Sequence, residues 1–548
     1  MPRPSDLPTG ADVRAGLASG DPDRFEVLFD ALWYDLPGRF APEVLSAVQG
    51  LPAATVEARP RLAHAALLAH HRTGLADGDL RQLRRARQLY TATGLRFGRR
   101  LASVTRPGDL GTAGTVAVVA ERLRGDHERA ERLGAWTDAQ TTLGTGHQAA
   151  SGTGAAARPG WLSAERGLAA LLAGAFDRAT RLLTRAHAEA GDPPHAHFAA
   201  PGAAAHLALL TAYRGHLDLS RTWLTAAEES GTVDAWITRL TGAGAEIARA
   251  LTAVHEGDAT RAAQLLHRIG PATEHLDLWP FVAHAAATYE ASFGDPQRGL
   301  RLLDRARHEH GALHPDPTTL TGELVLRAEA TLLLRAGAGT RVLHLADRYA
   351  EVDSLVLHAA WAHALAGEHH EAARLSAEAL QHRDLPVGDL MGHHLVQAVT
   401  ALRSGQRERA GDSFRTAVGL RSTPAHVLPF LTLPRDVLGE LAALARVPDP
   451  LRTGTVTVRH VPPPPEPLVH LTPREREVLR ALATGLTAEQ AAARFGVAVT
   501  TVRTQIRSVY RKLRVSRRRE ALARAQELGL LRVPRHTHDD AARTPGRR

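Results

Sequence analysis

The chain has 548 residues, with 67 Lys and Arg against 58 Asp and Glu and a formal net charge of +9. It contains no Cys, which excludes disulfides and thiolate metal sites, and Lys512 is its only lysine. No run approaches about 18 uninterrupted apolar residues and the opening MPRPSDLPTGADVRAG lacks the apolar centre of a signal peptide, so a soluble, cytoplasmic protein without membrane contact is expected.

The first long feature is a repeat. A Gly followed five residues later by a small residue recurs as Gly125/Ala130, Gly174/Ala179, Gly215/Ser220, Gly257/Ala262, Gly294/Gly299, Gly367/Ala372 and Gly405/Ala410. The intervals are 49, 41, 42, 37, 73 and 38 residues, and the 73 reads as two periods with a degraded copy around LLLRAGAGTRVLHLA. Bulky residues such as Leu182–Leu183, Leu265–Leu266 and Leu302–Leu303 follow at the eighth or ninth position. Each unit reads as a helix ending at Gly, a short turn, and a second helix whose early small residue allows close contact. One such hairpin cannot bury its own apolar face, so neighbours must stack. Units such as GAFDRATRLLTRA and GEHHEAARLSAEA resemble tetratricopeptide repeats with a lengthened period. The spacing predicts an α-solenoid of roughly eight to eleven hairpins over residues 20–445, with a flexible interruption at 139–160.

Between this array and the next element runs RTGTVTVRHVPPPPEPLVH, residues 452–470. Pro462 to Pro465 and Pro467 favour an extended spacer of about 3 Å per residue, which would hold the C-terminal domain off the array.

Residues 471–531 read as four short helices. Thr472 and Glu475 have capping-box spacing with Pro473 in the first turn, and Val478, Leu479 and Leu482 form the inner stripe. Thr487 caps a second helix that Gly496 closes. On the third, at 100° per residue, Ile506, Val509 and Leu513 fall within about 40° of Val502. Thr500, Arg503, Thr504, Arg507 and Arg511 cluster on the opposite side. Such a helix buries one edge and presents guanidinium groups along the other, as a helix in the DNA major groove requires. The charge agrees: from 471 to 548, 18 Arg and Lys face seven acids for a net +11, which leaves −2 for residues 1–470. The tail RVPRHTHDDAARTPGRR, 532–548, is expected to be disordered and basic.

From LTPREREVL through TVR and YRKL to EAL…ELGLL, the segment resembles the LuxR-type helix-turn-helix domain of bacterial transcription regulators. The whole chain is then all-α: a solenoid of helical hairpins followed by a four-helix head. The resemblance implies that helix 499–513 enters the major groove of double-stranded DNA. It also implies that helix 516–529 pairs two copies, with Leu522 and Ala525 at the contact. Arg503, Thr504 and Arg507 are expected at base edges, and Arg511, Lys512 and Arg514 at phosphate. Thr500, Thr501, Gln505 and Tyr510 complete the candidate interface. Three positions depart from the family: Ala498 replaces the usual capping Ser, Gln505 a frequent His, and Arg514 a frequent Gly. A missing cap costs about 1 kcal/mol unless the Thr500 or Thr501 hydroxyl substitutes.

Other chemistry finds no residues. Large LuxR-type regulators can carry an ATPase domain, but a P-loop needs a lysine and none precedes Lys512. The GTG sequences at 144–146 and 152–154 follow no strand and read as loop. Of the 30 His, the clusters His308–Glu309–His310, His369–His370–Glu371 and His393–His394 do not form HExxH and read as surface groups, so no metal or cofactor is expected. A DNA-binding regulator follows, not an enzyme, with an unknown protein, peptide or small-molecule effector on the array and a contact to RNA polymerase as further partners. The alternative is an interaction scaffold whose helix-turn-helix meets transcription machinery rather than DNA.

Overall fold

The computed structural model describes residues 8–33, 35–76, 80–144, 159–190, 199–230, 243–272, 277–381, 384–452 and 467–531. These residues form helices, turns and irregular connections, with no strand among them. No helix among them is long and apolar enough to cross a membrane. The GTG at 152–154, Pro462 to Pro465 and the tail 532–548 lie outside the described residues.

Five short helices from Gly10–Ala18 to Ala53–Ala58 close the N-terminal end over the helix Pro60–Ala76. Phe29, Leu36, Val44 and Leu62 are fully buried there. Arg61 is sunk beside them and holds Glu26, Asp30 and Asp109 at 2.7, 2.6 and 2.8 Å. After Leu80–Arg100 the regular array begins. Among the described residues eight hairpins follow, from Pro107–Leu123 with His127–Gly144 to Val387–Arg403 with Arg407–Gly419, and Arg435–Ala445 caps the last.

The two helices of a hairpin bury themselves differently, and sequence sets the difference. The inner helix is apolar nearly all round: Ala199–Arg214 buries thirteen residues, from Ala199 to Tyr213. The outer helix Phe176–Glu189 buries only Ala179, Leu182, Leu183 and Ala186, the i, i+3, i+4, i+7 stripe of a surface helix. Gly125, Gly174, Gly215, Gly257, Gly367 and Gly405 all hold φ between +74° and +84° and reverse the chain between the paired helices. Five residues on, Ala130, Ala179, Ser220, Ala262, Ala372 and Ala410 are each 0% exposed, as close helix approach demands. The degraded copy is a real hairpin. Gly337 has φ +75° and Val342 occupies the small-residue position. Gly294 does not take positive φ; a Cβ there would lie 2.2 Å from Glu290 Oε2, the oxygen that accepts the Asp295 amide at 2.9 Å.

The array coils back on itself. Arg214 of the third hairpin reaches Asp384 at 2.6 Å, and the Ser422 hydroxyl donates to the Gly215 carbonyl at 3.0 Å. Val427 N–H donates to the His255 carbonyl of the fourth hairpin at 2.9 Å.

Two expectations change. Of the interruption expected at 139–160, residues 139–144 instead complete His127–Gly144, where the Thr141 and Thr142 hydroxyls bond back to carbonyls one turn earlier and Asp138 grips Arg166 and Arg185, and 145–158 lie outside the described residues. Of the three histidine clusters expected at the surface, His308 and His370 are exposed but His393 is buried. His64, His206, His284, His358, His393 and His426 are all buried. A ring with one polar tip packs well where a hydroxyl or a second ring meets it, as Thr331 meets His358 at 2.8 Å and Ser376 meets His393 at 3.2 Å. Burial pulls the His358 and His393 pKa values down to about 4, so these rings are neutral at pH 7.

The close-approach rule is tested on one helix. Ala179→Leu should destabilise the array by about 1–3 kcal/mol through overpacking. Thr184→Leu, exposed on the same helix, should change stability by less than about 0.5 kcal/mol. Urea midpoints that fall equally for the two variants would contradict the packing.

Candidate nucleic-acid interface

The head is built on short-range signals. Thr472 Oγ1 accepts the Glu475 amide at 3.2 Å while a Glu475 carboxylate oxygen accepts the Thr472 amide at 2.7 Å, so the capping box opens Pro473–Ala483. Thr487 and Gln490 repeat the device for Ala488–Phe495. Gly496, at φ +65°, turns the chain into the third helix, Val499–Leu513. The fourth is Arg518–Glu527. Leu471, Leu479, Val509, Leu513, Ala521, Ala525, Leu528 and Leu531 form one apolar cluster. Val478, Ala481, Leu482, Ala491, Ala492 and Val502 form a second.

The third helix is divided as its sequence periodicity requires. Val502, Val509 and Leu513 are buried, while Thr500, Thr501, Arg503, Thr504, Arg507, Arg511 and Arg514 are exposed. Gln505, Tyr510 and Lys512 lie at the flanks, half-buried, and Tyr510 packs against both clusters. Arg503 reaches across to Glu489 of the second helix at 2.7 Å, with both side chains more than half exposed. Such a pair is worth at most about 1 kcal/mol, so Arg503 is readily taken over by a better acceptor.

Lys512 does not stand free. Its ammonium lies 2.6 Å from Glu475, and the Ser508 hydroxyl donates to the other Glu475 oxygen at 2.7 Å. Burial by itself would raise the Glu475 pKa. The bonds from Lys512, Ser508 and the Thr472 amide outweigh it and bring the value down to about 2. One carboxylate thus joins the cap of the first helix to the middle and end of the third. Sequence reading missed this tie. Its trace is the i, i+4 spacing of Ser508 and Lys512, which puts both on one side of the helix.

The departures from the family pattern have structural counterparts. Ala498 gives no side-chain cap, and neither the Thr500 nor the Thr501 hydroxyl replaces it. Arg514 ends the helix at φ +55° and ψ +46°, the left-handed conformation in which Gly is favoured. Leu522 and Ala525 do not form a free contact face. Ala525 is 0% exposed inside the head, and Leu522 packs between the two clusters because the fourth helix needs both to cover Val509 and Leu513. The exposed positions of that helix are Arg519, Glu520, Ala523, Gln526 and Glu527.

The end of the linker is not a stand-off. Leu468 packs into the apolar cluster of the last hairpins, and Val469 N–H donates to Thr340 Oγ1 at 3.1 Å. His470 meets Glu368 at 2.7 Å and Arg476 meets Asp347 at 2.9 Å. The apolar side chain of Leu468 gains more by burial beside Gly339 than by extension into water.

Residues 469–525 match the family described as "Bacterial regulatory proteins, luxR family", and with the four-helix geometry they form a LuxR-type helix-turn-helix domain. Similar curated proteins carry regulator names. The HTH-type transcriptional regulator MalT of Vibrio campbellii (strain ATCC BAA-1116) is 30% identical over 142 residues, 26% of this chain and 12% of that protein. MalT of Serratia proteamaculans (strain 568) is 45% identical over 58 residues, 11% of this chain and 6% of its own length. The probable transcriptional regulatory protein SgaR of Hyphomicrobium methylovorum is 50% identical over 58 residues, 11% of this chain and 28% of that protein. The chain thus spans about an eighth of the Vibrio relative's length, and the likeness to the two 58-residue matches is confined to about a tenth of this chain.

Two outcomes follow from the geometry. Ala498→Ser should stabilise the third helix by about 1 kcal/mol, slowing amide exchange over its first turn about fivefold; unchanged exchange would show that the N-terminus is already satisfied. Because the Glu475 pKa is depressed in the fold, its stabilisation is present above the ordinary carboxylate pKa and fades as pH drops toward about 2. The wild-type head should therefore lose up to about 3 kcal/mol between pH 5 and 2 through this group. Glu475→Gln should be weaker at pH 7 and flatter over that range, and parallel acid-unfolding curves would contradict the assignment.

Proposed function

We propose that this chain is a bacterial transcription regulator that binds double-stranded DNA through Val499–Leu513. The observation that carries this reading is the continuous exposed face of Thr500, Arg503, Thr504, Arg507 and Arg511 on the third helix of a LuxR-type domain. In this reading Arg503, Thr504 and Arg507 reach base edges. Arg511 and Arg514 lie along the helix toward its C-terminus and meet phosphate. Lys512, tied to Glu475, orients the helix and offers its remaining donors at the rim, with Thr501, Gln505 and Tyr510 at the flanks. Arg503 exchanges the weak Glu489 pair for a two-bond contact to guanine worth about 1–3 kcal/mol.

One head reads too few base pairs to select a promoter, so two copies on related half-sites are proposed. Since Ala525 is buried, pairing through the fourth helix would use its exposed side around Ala523 and Gln526. The array is proposed to receive a protein, peptide or small-molecule signal without consuming it. The contacts of Leu468, His470 and Arg476 with the array supply a route from array to head.

The face is tested by substitution. Arg503→Ala and Arg507→Ala should each weaken binding by about 1–3 kcal/mol and blur preference at particular base pairs. Arg511→Ala should weaken all sequences alike and flatten the salt dependence. Selection from random duplexes separates the two kinds of loss. If Arg503→Ala and Arg511→Ala give the same nonspecific change, the assignment of base and phosphate contacts is wrong.

A further inference from the structure

The joint between array and head holds a cluster that DNA binding does not use. His363 lies in the last turn of Ser354–Leu365, and its side chain is 11% exposed. Glu368 follows the turn at Gly367, and His470 immediately precedes the head. Glu368 Oε2 is 2.7 Å from His363 Nδ1, and its Oε1 is 2.7 Å from His470 Nε2. The two rings lie parallel within 8°, with centroids 6.0 Å apart, one on each side of the carboxylate. All three donor atoms fall within 4.8 Å of one another, although His470 is 102 residues from Glu368. Among the described residues this is the group of three His, Asp or Glu side chains so assembled, and none of the His pairs conspicuous in the sequence belongs to it.

We propose that His363, Glu368 and His470 bind a divalent transition metal of the zinc class and thereby fasten the head to the array. Two imidazoles and a carboxylate are borderline nitrogen and oxygen donors that suit Zn²⁺, leaving a fourth position for water. Zn–N and Zn–O bonds near 2.1 Å set tetrahedral donors about 3.4 Å apart, so a gap of up to 4.8 Å must close by at most about 1.4 Å. His470, 53% exposed, supplies that movement by side-chain rotation. The two imidazoles now donate N–H to Glu368. On binding, the proton of His363 moves from Nδ1 to Nε2 and that of His470 from Nε2 to Nδ1. Two hydrogen bonds give way to metal bonds, and each ring keeps a proton on its other nitrogen. Thiolate is absent from the donor set, so the ion is exchangeable and responsive to its free concentration rather than a permanent structural part. The ligands come from both sides of the joint, so binding shifts the head toward the docked arrangement.

The test uses the full chain, stripped with chelator and titrated with ZnCl₂ against a chromophoric competitor. Wild type should bind one ion more per chain than His470→Ala, His363→Ala or Glu368→Gln, whereas His308→Ala should match wild type. Zinc should also slow amide exchange over 468–472 several-fold in wild type and leave it unchanged in His470→Ala. His470 is half-exposed, so that variant keeps the fold, and circular dichroism verifies this. Equal stoichiometry in wild type and the three variants would overturn the proposal, as would zinc uptake without protection at the joint. No DNA enters the experiment, so its failure leaves the reading of Val499–Leu513 untouched.

Discussion

Glu475 accepts three hydrogen bonds that tie two helices of the head together. One is the Thr472 amide at the start of the first head helix, and the others are the Ser508 hydroxyl and the Lys512 ammonium of the third. The carboxylate is 3% exposed, and an unpaired charge so placed would be costly. With its partners present it becomes a strut. Apolar contact through Val502, Val509 and Leu513 fixes which side of the third helix faces in, and Glu475 fixes its tilt and its position along its axis. Everything the exposed arginines can do depends on that placement, because a base edge is read only when donors arrive within hydrogen-bond reach. Lys512 gives up part of its role at the surface so that Arg503, Arg507 and Arg511 can be held steadily.

The array obeys a different constraint. Each outer helix has one narrow apolar stripe, so it is stable only against an inner helix that is apolar on several sides. The recurring Gly with φ near +80° and the small residue five positions on let the pair approach closely, and stacking makes a continuous core. Coiling then brings the segment around Ser422 and Val427 back to the third and fourth hairpins. Charge follows the same division: the array and linker sum to −2, and the cationic excess belongs to the head and tail. A nearly neutral array does not compete with the head for polyanions, so the two parts can be linked mechanically, through Leu468, His470 and Arg476, without electrostatic interference.

Local chemistry was readable in the sequence. The Thr472/Glu475 box, the Gly496 turn and the span Val499–Leu513 were visible because each depends on residues a few positions apart. The Gly-plus-small-residue rhythm was visible for the same reason, even where Val342 had replaced the small residue. What depended on distant partners was not. The tie from Lys512 to Glu475 spans 37 positions. Leu468 carries no sign of the pocket beside Gly339 that receives it. Ala525 looked available for pairing because a small apolar residue on a short helix suits an interface and a core equally, and the core claimed it. His393 was misjudged through its ambiguity: an imidazole is polar in a count of composition, yet it packs as a flat apolar ring once a hydroxyl meets its nitrogen.

The central claim is that the basic face of Val499–Leu513 meets duplex DNA. It is tested most directly by the salt dependence of the full chain on a selected duplex and on a scrambled one of equal length. The account predicts that log K falls linearly with log salt concentration on both, with a slope of about −0.9 for each phosphate neutralised. The selected duplex should stay at least about a thousandfold tighter throughout. Binding that is flat in salt, or equal on the two duplexes at every concentration, would contradict it.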